Sequence, residues 1–149
     1  MVGDRDTTGA PADALTLVVA NELRALGPAA EAVRGYVAAH GVDPKAIYAV
    51  DLVLEECLMN IISHAFEDQR AHRIDLTVWV EPARVVLQMR DDGVSFDPTQ
   101  RPLPVPPRSI EEATPGGLGL VLLRRYARAI DYRRDAGRNC LTVDIGRAS

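Results

Sequence analysis

The sequence predicts an α/β (α+β) fold, a two-layer sandwich in which a mostly antiparallel, mixed sheet carries helices on one face. Three observations predict it. Apolar and polar residues alternate in Ile74–Val80, Val85–Met89 and Leu141–Ile145, the period-2 pattern of strands with one buried face. Between residues 44 and 65 the apolar positions Ile47, Val50, Leu54, Leu58, Ile61 and Ala65 recur at helical spacing instead. The chain has 149 residues, 47% hydrophobic and 26% charged, the size and balance of one folded domain. Helices must then cover the single apolar face of the sheet.

Taken in order, residues 1–12 (MVGDRDTTGAPA) have no apolar run and are expected to be a disordered leader, with the domain over residues 13–147. Leu15–Ala20 (LTLVVA) is a short β-branched run and predicts the first strand. Ala29, Ala32, Val33, Tyr36 and Val37 predict a helix over Pro28–His40, stopped by Gly41. Asp43 can cap the next, long helix, whose first residue is Pro44; Glu56 and Asn60 lie on a face beside its apolar stripe. The two alternating segments around Pro82-Ala83 predict a hairpin. Residues 97–115 hold six of the ten prolines, too many for a helix or a ladder, and a loop of that length inside a domain is expected to be a lid. Gly116-Gly117-Leu118-Gly119 then opens a predicted helix over LVLLRRYARAI, and two strands end the chain.

A net charge of −4 gives no general reason to bind nucleic acid. Arg124, Arg125, Arg128, Arg133, Arg134 and Arg138 are interleaved by Asp131 and Asp135 and read as a solvated or partner-facing surface. Two cysteines make neither a disulfide framework nor a metal cluster. The most apolar window, residues 49–66, is broken by Asp51, Glu55 and Glu56, so no membrane span is expected. These readings point to a cytoplasmic location. His64 and Cys57 read as structural residues.

Three constellations carry chemistry. Glu56 and Asn60 are four apart on one helix and project together. A carboxylate and an amide oxygen are hard donors suited to Mg²⁺, and a carboxylate can take a proton from an attacking hydroxyl; a solvated polar pair has the same spacing. Asp91-Asp92-Gly93-Val94-Ser95-Phe96-Asp97-Pro98 sits where a strand leaves the sheet. Its first carboxylate can accept from the exocyclic amine of adenine and Gly93 permits close backbone approach, while the same residues also make an ordinary turn. Glycine amides at 116, 117 and 119, at the positive end of a helix, can bind an anion, or are simply a flexible helix start. The sequence is neither a Walker A nor a Rossmann fingerprint.

The order of these motifs resembles the GHKL superfamily of ATP-binding domains, and within it the stand-alone anti-sigma-factor serine kinases, from Leu15 to Ile145. Glu56-Cys-Leu-Met-Asn60-Ile-Ile-Ser-His64-Ala65-Phe66 resembles the N box, residues 91–98 the first glycine box with Ser95 at the place of a frequent second glycine, and residues 116–120 the second. Asp131-Tyr132-Arg133 through Gly137-Arg138-Asn139-Cys140-Leu141 continues as in that subfamily. The resemblance implies a Bergerat ATP-binding fold with ATP and Mg²⁺ as cofactors. It implies that Asn60 binds Mg²⁺, Glu56 is the general base, Asp91 reads adenine, Gly93 shapes its pocket, and the Gly116-Gly117-Leu118-Gly119 segment holds phosphates. It further implies a STAS-type anti-anti-sigma substrate, a sigma factor as second partner, and a homodimer. The alternative is a non-catalytic, ATP-dependent switch that sequesters its partner. Arg101 and Arg108 are the cations of the expected lid, and either one could reach the terminal phosphate.

Overall fold

The structure, a computed structural model, describes residues 9–68, 70–95, 97 and 124–147. The predicted lid, the Gly116–Gly119 segment, Arg101 and Arg108, and most of the predicted leader lie outside the described residues.

Five strands form one sheet: β1 (Leu15–Ala20), β2 (Arg73–Val80), β3 (Arg84–Asp91), β4 (Ala129–Asp135) and β5 (Arg138–Gly146), in the order β1-β2-β3-β5-β4. Every pairing among the described residues is antiparallel, so no parallel pair makes the sheet mixed there. Two helices, α1 (Leu26–Ala39) and α2 (Pro44–His64), pack on each other and on one face of the sheet. Their Val33, Val37, Val53 and Leu54 join Ile74, Leu76, Leu87, Met89 and Val143 in one core. Fully burying a side chain of this size stabilises by roughly 1.5–3 kcal/mol.

α1 begins two residues before the predicted Pro28 and ends one residue earlier than expected. Pro28 is tolerated as its third residue, because the first four backbone N–H groups of a helix have no intrahelical partner. Gly41 then takes φ 78°, and its N–H and that of Val42 return to the carbonyls of Ala38 and Val37, the left-handed stop that glycine permits. At the start of α2 the Asp43 carboxylate accepts from the Ala46 N–H at 2.9 Å and Pro44 follows it. Pro82 and Ala83 connect β2 to β3, with Glu81 and Arg84 exchanging backbone hydrogen bonds across the turn.

Two expectations are corrected. The second sheet face does not simply face water: Thr77, Trp79, Val86, Gln88, Arg90 and Cys140 are each at most 7% exposed. Its polar side chains pair across strands, Arg138 with Asp75 at 2.7 Å, Arg84 with Asp144, and Gln88 with Thr142 at 3.3 Å. Long arginine stems lying on the sheet exclude water while their heads stay paired. The chain ahead of β1 also approaches this face, since a Cβ on Gly9 would lie 3.8 Å from the Trp79 ring. The second correction concerns the predicted helix over LVLLRRYARAI: Ala129 and Ile130 belong to β4, where they face Asp144 and Val143 of β5. Pairing with an established neighbour overrides a local helical preference of tenths of a kcal/mol per residue.

Candidate functional site

The site is built where the C-terminal end of α2 meets the end of β3. Asp91 is the last residue of β3 and is 2% exposed. The chain then turns, and Gly93 lies so close to α2 that a Cβ there would be 2.3 Å from the Ala65 carbonyl oxygen and 2.6 Å from its Cβ. The next N–H, of Val94, donates to that same carbonyl at 2.7 Å. A side chain at position 93 would drive the turn off the helix, so the described structure demands this glycine for packing against Ala65.

The Asp91 carboxylate is held through one oxygen. Its Oδ1 accepts from the Gly93 N–H and from Asn139 Nδ2, both at 2.9 Å. Its Oδ2 makes no hydrogen bond among the described residues. Burial raises the Asp91 pKa above the usual carboxylate range, opposed by the Asn139 and Gly93 hydrogen bonds.

Glu56 and Asn60 project from α2 one turn apart. Asn60 is 7% exposed, so it does not sit on a solvated face. Glu56 is partly buried, and its Oε2 is inaccessible and has no hydrogen-bond partner among the described residues. Burial, with Glu55 as the lesser cause, raises its pKa. A helix rises ~1.5 Å per residue. Asn60 therefore lies about 7–8 Å and Glu56 about 13 Å along the axis from Ala65, where the Asp91 turn docks. Cys57, between them on the core side, is 1% exposed and burial pushes its thiol up to about 12, which makes it inert; His64 is exposed.

A cavity of about 360 Å³ opens beside the turn, lined by Phe66, Asp68, His72, Gly93, Val94 and Arg134 among others. His72 stacks on Phe66 with ring centroids 4.4 Å apart. Its Nε2 lies 2.8 Å from Asp68 and its Nδ1 3.1 Å from Asp92. The ring pins the segment after α2 to the segment after β3.

Sequence reading missed Asn139, Tyr132 and Arg134 as parts of this site. The one available signal was an asparagine within a strand, a residue depleted there. Arg134 and Arg138, read as surface cations, are committed instead: Arg134 donates to the Gly93 carbonyl and to Asn139, and Arg138 pairs with Asp75. Among the described residues no group of three or more His, Cys, Asp or Glu side chains could hold a metal, and no helix is long and apolar enough to cross a membrane.

The histidine kinase-like ATPase domain family matches residues 19–145. The serine/threonine-protein kinase BtrW of Bordetella bronchiseptica is 40% identical over 96 residues, which cover 64% of this chain and 68% of BtrW. The histidine kinase domain of a blue-light-activated histidine kinase from Erythrobacter litoralis EL346 superimposes with a TM-score of 0.48 at 18% identity. That alignment spans 84% of this chain and 60% of the other. The motif order, the packing of the Asp91 turn on α2 and the family match over most of its length agree, and the chain belongs to the histidine kinase-like ATPase domain family.

Proposed function

We propose that this chain is an ATP-binding, Mg²⁺-dependent serine/threonine protein kinase that acts as a cytoplasmic anti-sigma regulatory factor. Its substrate is a STAS-type anti-anti-sigma protein and its second partner a sigma factor, with the chain acting as a homodimer. The kinase class is supported by the name of the relative BtrW; the partners and the dimer follow the family resemblance of the motifs.

The residues fit the nucleotide. Asp91 Oδ2 is an acceptor without a partner among the described residues, at the end of a buried carboxylate, and it accepts from the amine of adenine. Asn60 contributes an amide oxygen, a hard donor for Mg²⁺. Gly93 shapes the pocket by keeping the turn against Ala65. By the resemblance of the motif, the amides of Gly116, Gly117, Leu118 and Gly119 would hold the phosphates. When bound, the Mg²⁺ nucleotide supplies the phosphoryl group and a cation that offsets its charge.

The observation that carries the kinase reading over the sequestering switch is Glu56: a carboxylate with one buried oxygen that has no partner among the described residues and a pKa raised by burial. Such a group is a stronger base than an exposed glutamate and is left free to accept one proton. The Glu56 carboxylate takes that proton from the acceptor hydroxyl as its oxygen bonds to the γ-phosphorus of ATP and the bond from that phosphorus to the bridging oxygen breaks, ADP being the leaving group. Incubation with ATP, Mg²⁺ and a STAS-type partner tests this. Phosphate appearing on a serine or threonine of the partner is the expected result. Stable, ATP-dependent binding of a partner that never acquires phosphate decides for the switch.

A further inference from the structure

The proposed reading gives Asp91 the base. What holds the Asp91 carboxylate in one orientation is a second residue, 48 positions away in sequence. Asn139 is the direct cross-strand partner of Asp91 in the β3–β5 pairing and is 3% exposed. Its Nδ2 donates to Asp91 Oδ1 at 2.9 Å and to the Val94 carbonyl at 2.8 Å. Its Oδ1 accepts from the Tyr132 hydroxyl and from Arg134 Nη1. A side-chain amide has two donors and two acceptor positions, and all four are used.

This saturation fixes the amide. Turned over, it would set its oxygen against the Asp91 carboxylate and the Val94 carbonyl, and its NH₂ against the Arg134 guanidinium. Neither encounter makes a hydrogen bond. The same guanidinium nitrogen also donates to the Gly93 carbonyl at 2.9 Å, so the β4–β5 hairpin grips the turn at Gly93, Val94 and Asp91 together. With Oδ1 occupied by two donors, the carboxylate meets a ligand through Oδ2 as a pure acceptor.

We infer that Asn139 is the positioning residue that holds the Asp91 carboxylate as a one-directional acceptor and thereby sets the preference of the site for a 6-aminopurine over purines lacking a donor at that position. The inference rests on Asp91 reading the base. An amine at C6 satisfies Oδ2; a hydrogen there leaves it unpaired, and a carbonyl oxygen opposes it. Once Asn139 is removed, Oδ1 loses a donor and the carboxylate is free to turn or to bind water, so the amine no longer earns a distinct advantage.

The test compares Kd for ATP, for purine riboside triphosphate (which lacks the amine) and for inosine triphosphate. It uses the full chain, the isosteric Asn139→Asp and the smaller Asn139→Ala. The wild type should prefer ATP over purine riboside triphosphate about tenfold or more, the cost of an unpaired buried acceptor. In the variants that ratio should collapse toward one. An unchanged ratio, or a parallel loss for all three nucleotides, overturns the positioning role and leaves Asn139 a structural residue. A wild type without preference overturns the base-reading role of Asp91 itself, a separate and visible failure. One measurement needs no variant: the Asn139 amide protons should exchange more slowly with ATP bound than with purine riboside triphosphate bound, and equal protection overturns the inference.

Discussion

Asp91 and Glu56 are both carboxylates that burial pushes to higher pKa, yet their surroundings differ in kind. Asp91 stands at the end of a strand, receives two hydrogen bonds on one oxygen and is enclosed by a turn packed on α2. Glu56 stands in mid-helix with one oxygen buried and without a partner among the described residues. The difference teaches how one domain gives two acids separate tasks. Hydrogen bonds to the ionised form keep Asp91 an oriented acceptor, whereas their absence at Glu56 leaves a basic oxygen whose charge is poorly compensated. In the proposed reading, one end of the site holds the base and the other accepts a proton.

The largest expected effect breaks the comparison at its reactive end. Glu56→Gln should lower phosphoryl transfer by ~10²–10⁴-fold, the usual range for a general base, with nucleotide Kd unchanged. A transfer rate within a few fold of wild type would move the base elsewhere. In the wild type the acidic limb of the rate profile should lie above the ordinary glutamate range, because Glu56 acts deprotonated and its pKa is raised.

At the holding end, Gly93→Ala forces a Cβ to within 2.3 Å of the Ala65 carbonyl oxygen unless the turn shifts. Overpacking of this kind costs about 1–3 kcal/mol, so thermal unfolding should fall by several degrees and nucleotide affinity should weaken with it. An unchanged melting temperature would show that the turn is not pressed against α2.

Asp91→Asn sharpens the contrast further. It removes the charge but keeps the shape, and an amide can present a donor where the base needs an acceptor. The unpaired groups cost ~1–3 kcal/mol, about tenfold or more in affinity for ATP, measured by calorimetry. Equal affinity in the variant would reduce Asp91 to a turn residue.

The smallest effect is expected at the rim. Both ring nitrogens of His72 face carboxylates, Asp68 and Asp92, an arrangement that favours the charged ring because both nitrogens then donate. The Asp68 hydrogen bond first, with the charges of Asp68 and Asp92, raises the His72 pKa above 6.5. A histidine whose folded pKa is raised contributes stability that is fully present below its unfolded value and is lost as pH rises through the folded one. Wild type should therefore lose a small increment of thermal stability, relative to His72→Gln, as pH climbs from about 6.5. Parallel melting curves across that range would show that the clasp carries no pH dependence.

Much of this molecule was legible from residue order alone. The Asp43-Pro44 cap, the length of α2, the strand alternation and the Pro82-Ala83 hairpin are local features, decided by backbone geometry and apolar periodicity within a few residues. The Glu56–Asn60 pair was legible for the same reason, since a spacing of four on a helix fixes a shared face. What only the tertiary structure decided depends on segments distant in sequence. Arg138 and Asp75 pair across 63 positions, and Asp91 and Asn139 across 48. The paired far face of the sheet and the demand for glycine at 93 come from strand order and from how closely two elements meet. Sequence periodicity reports which face of an element is apolar; it carries no term for which neighbour covers that face, and so the residue that orients Asp91 became visible only when β5 was laid beside β3.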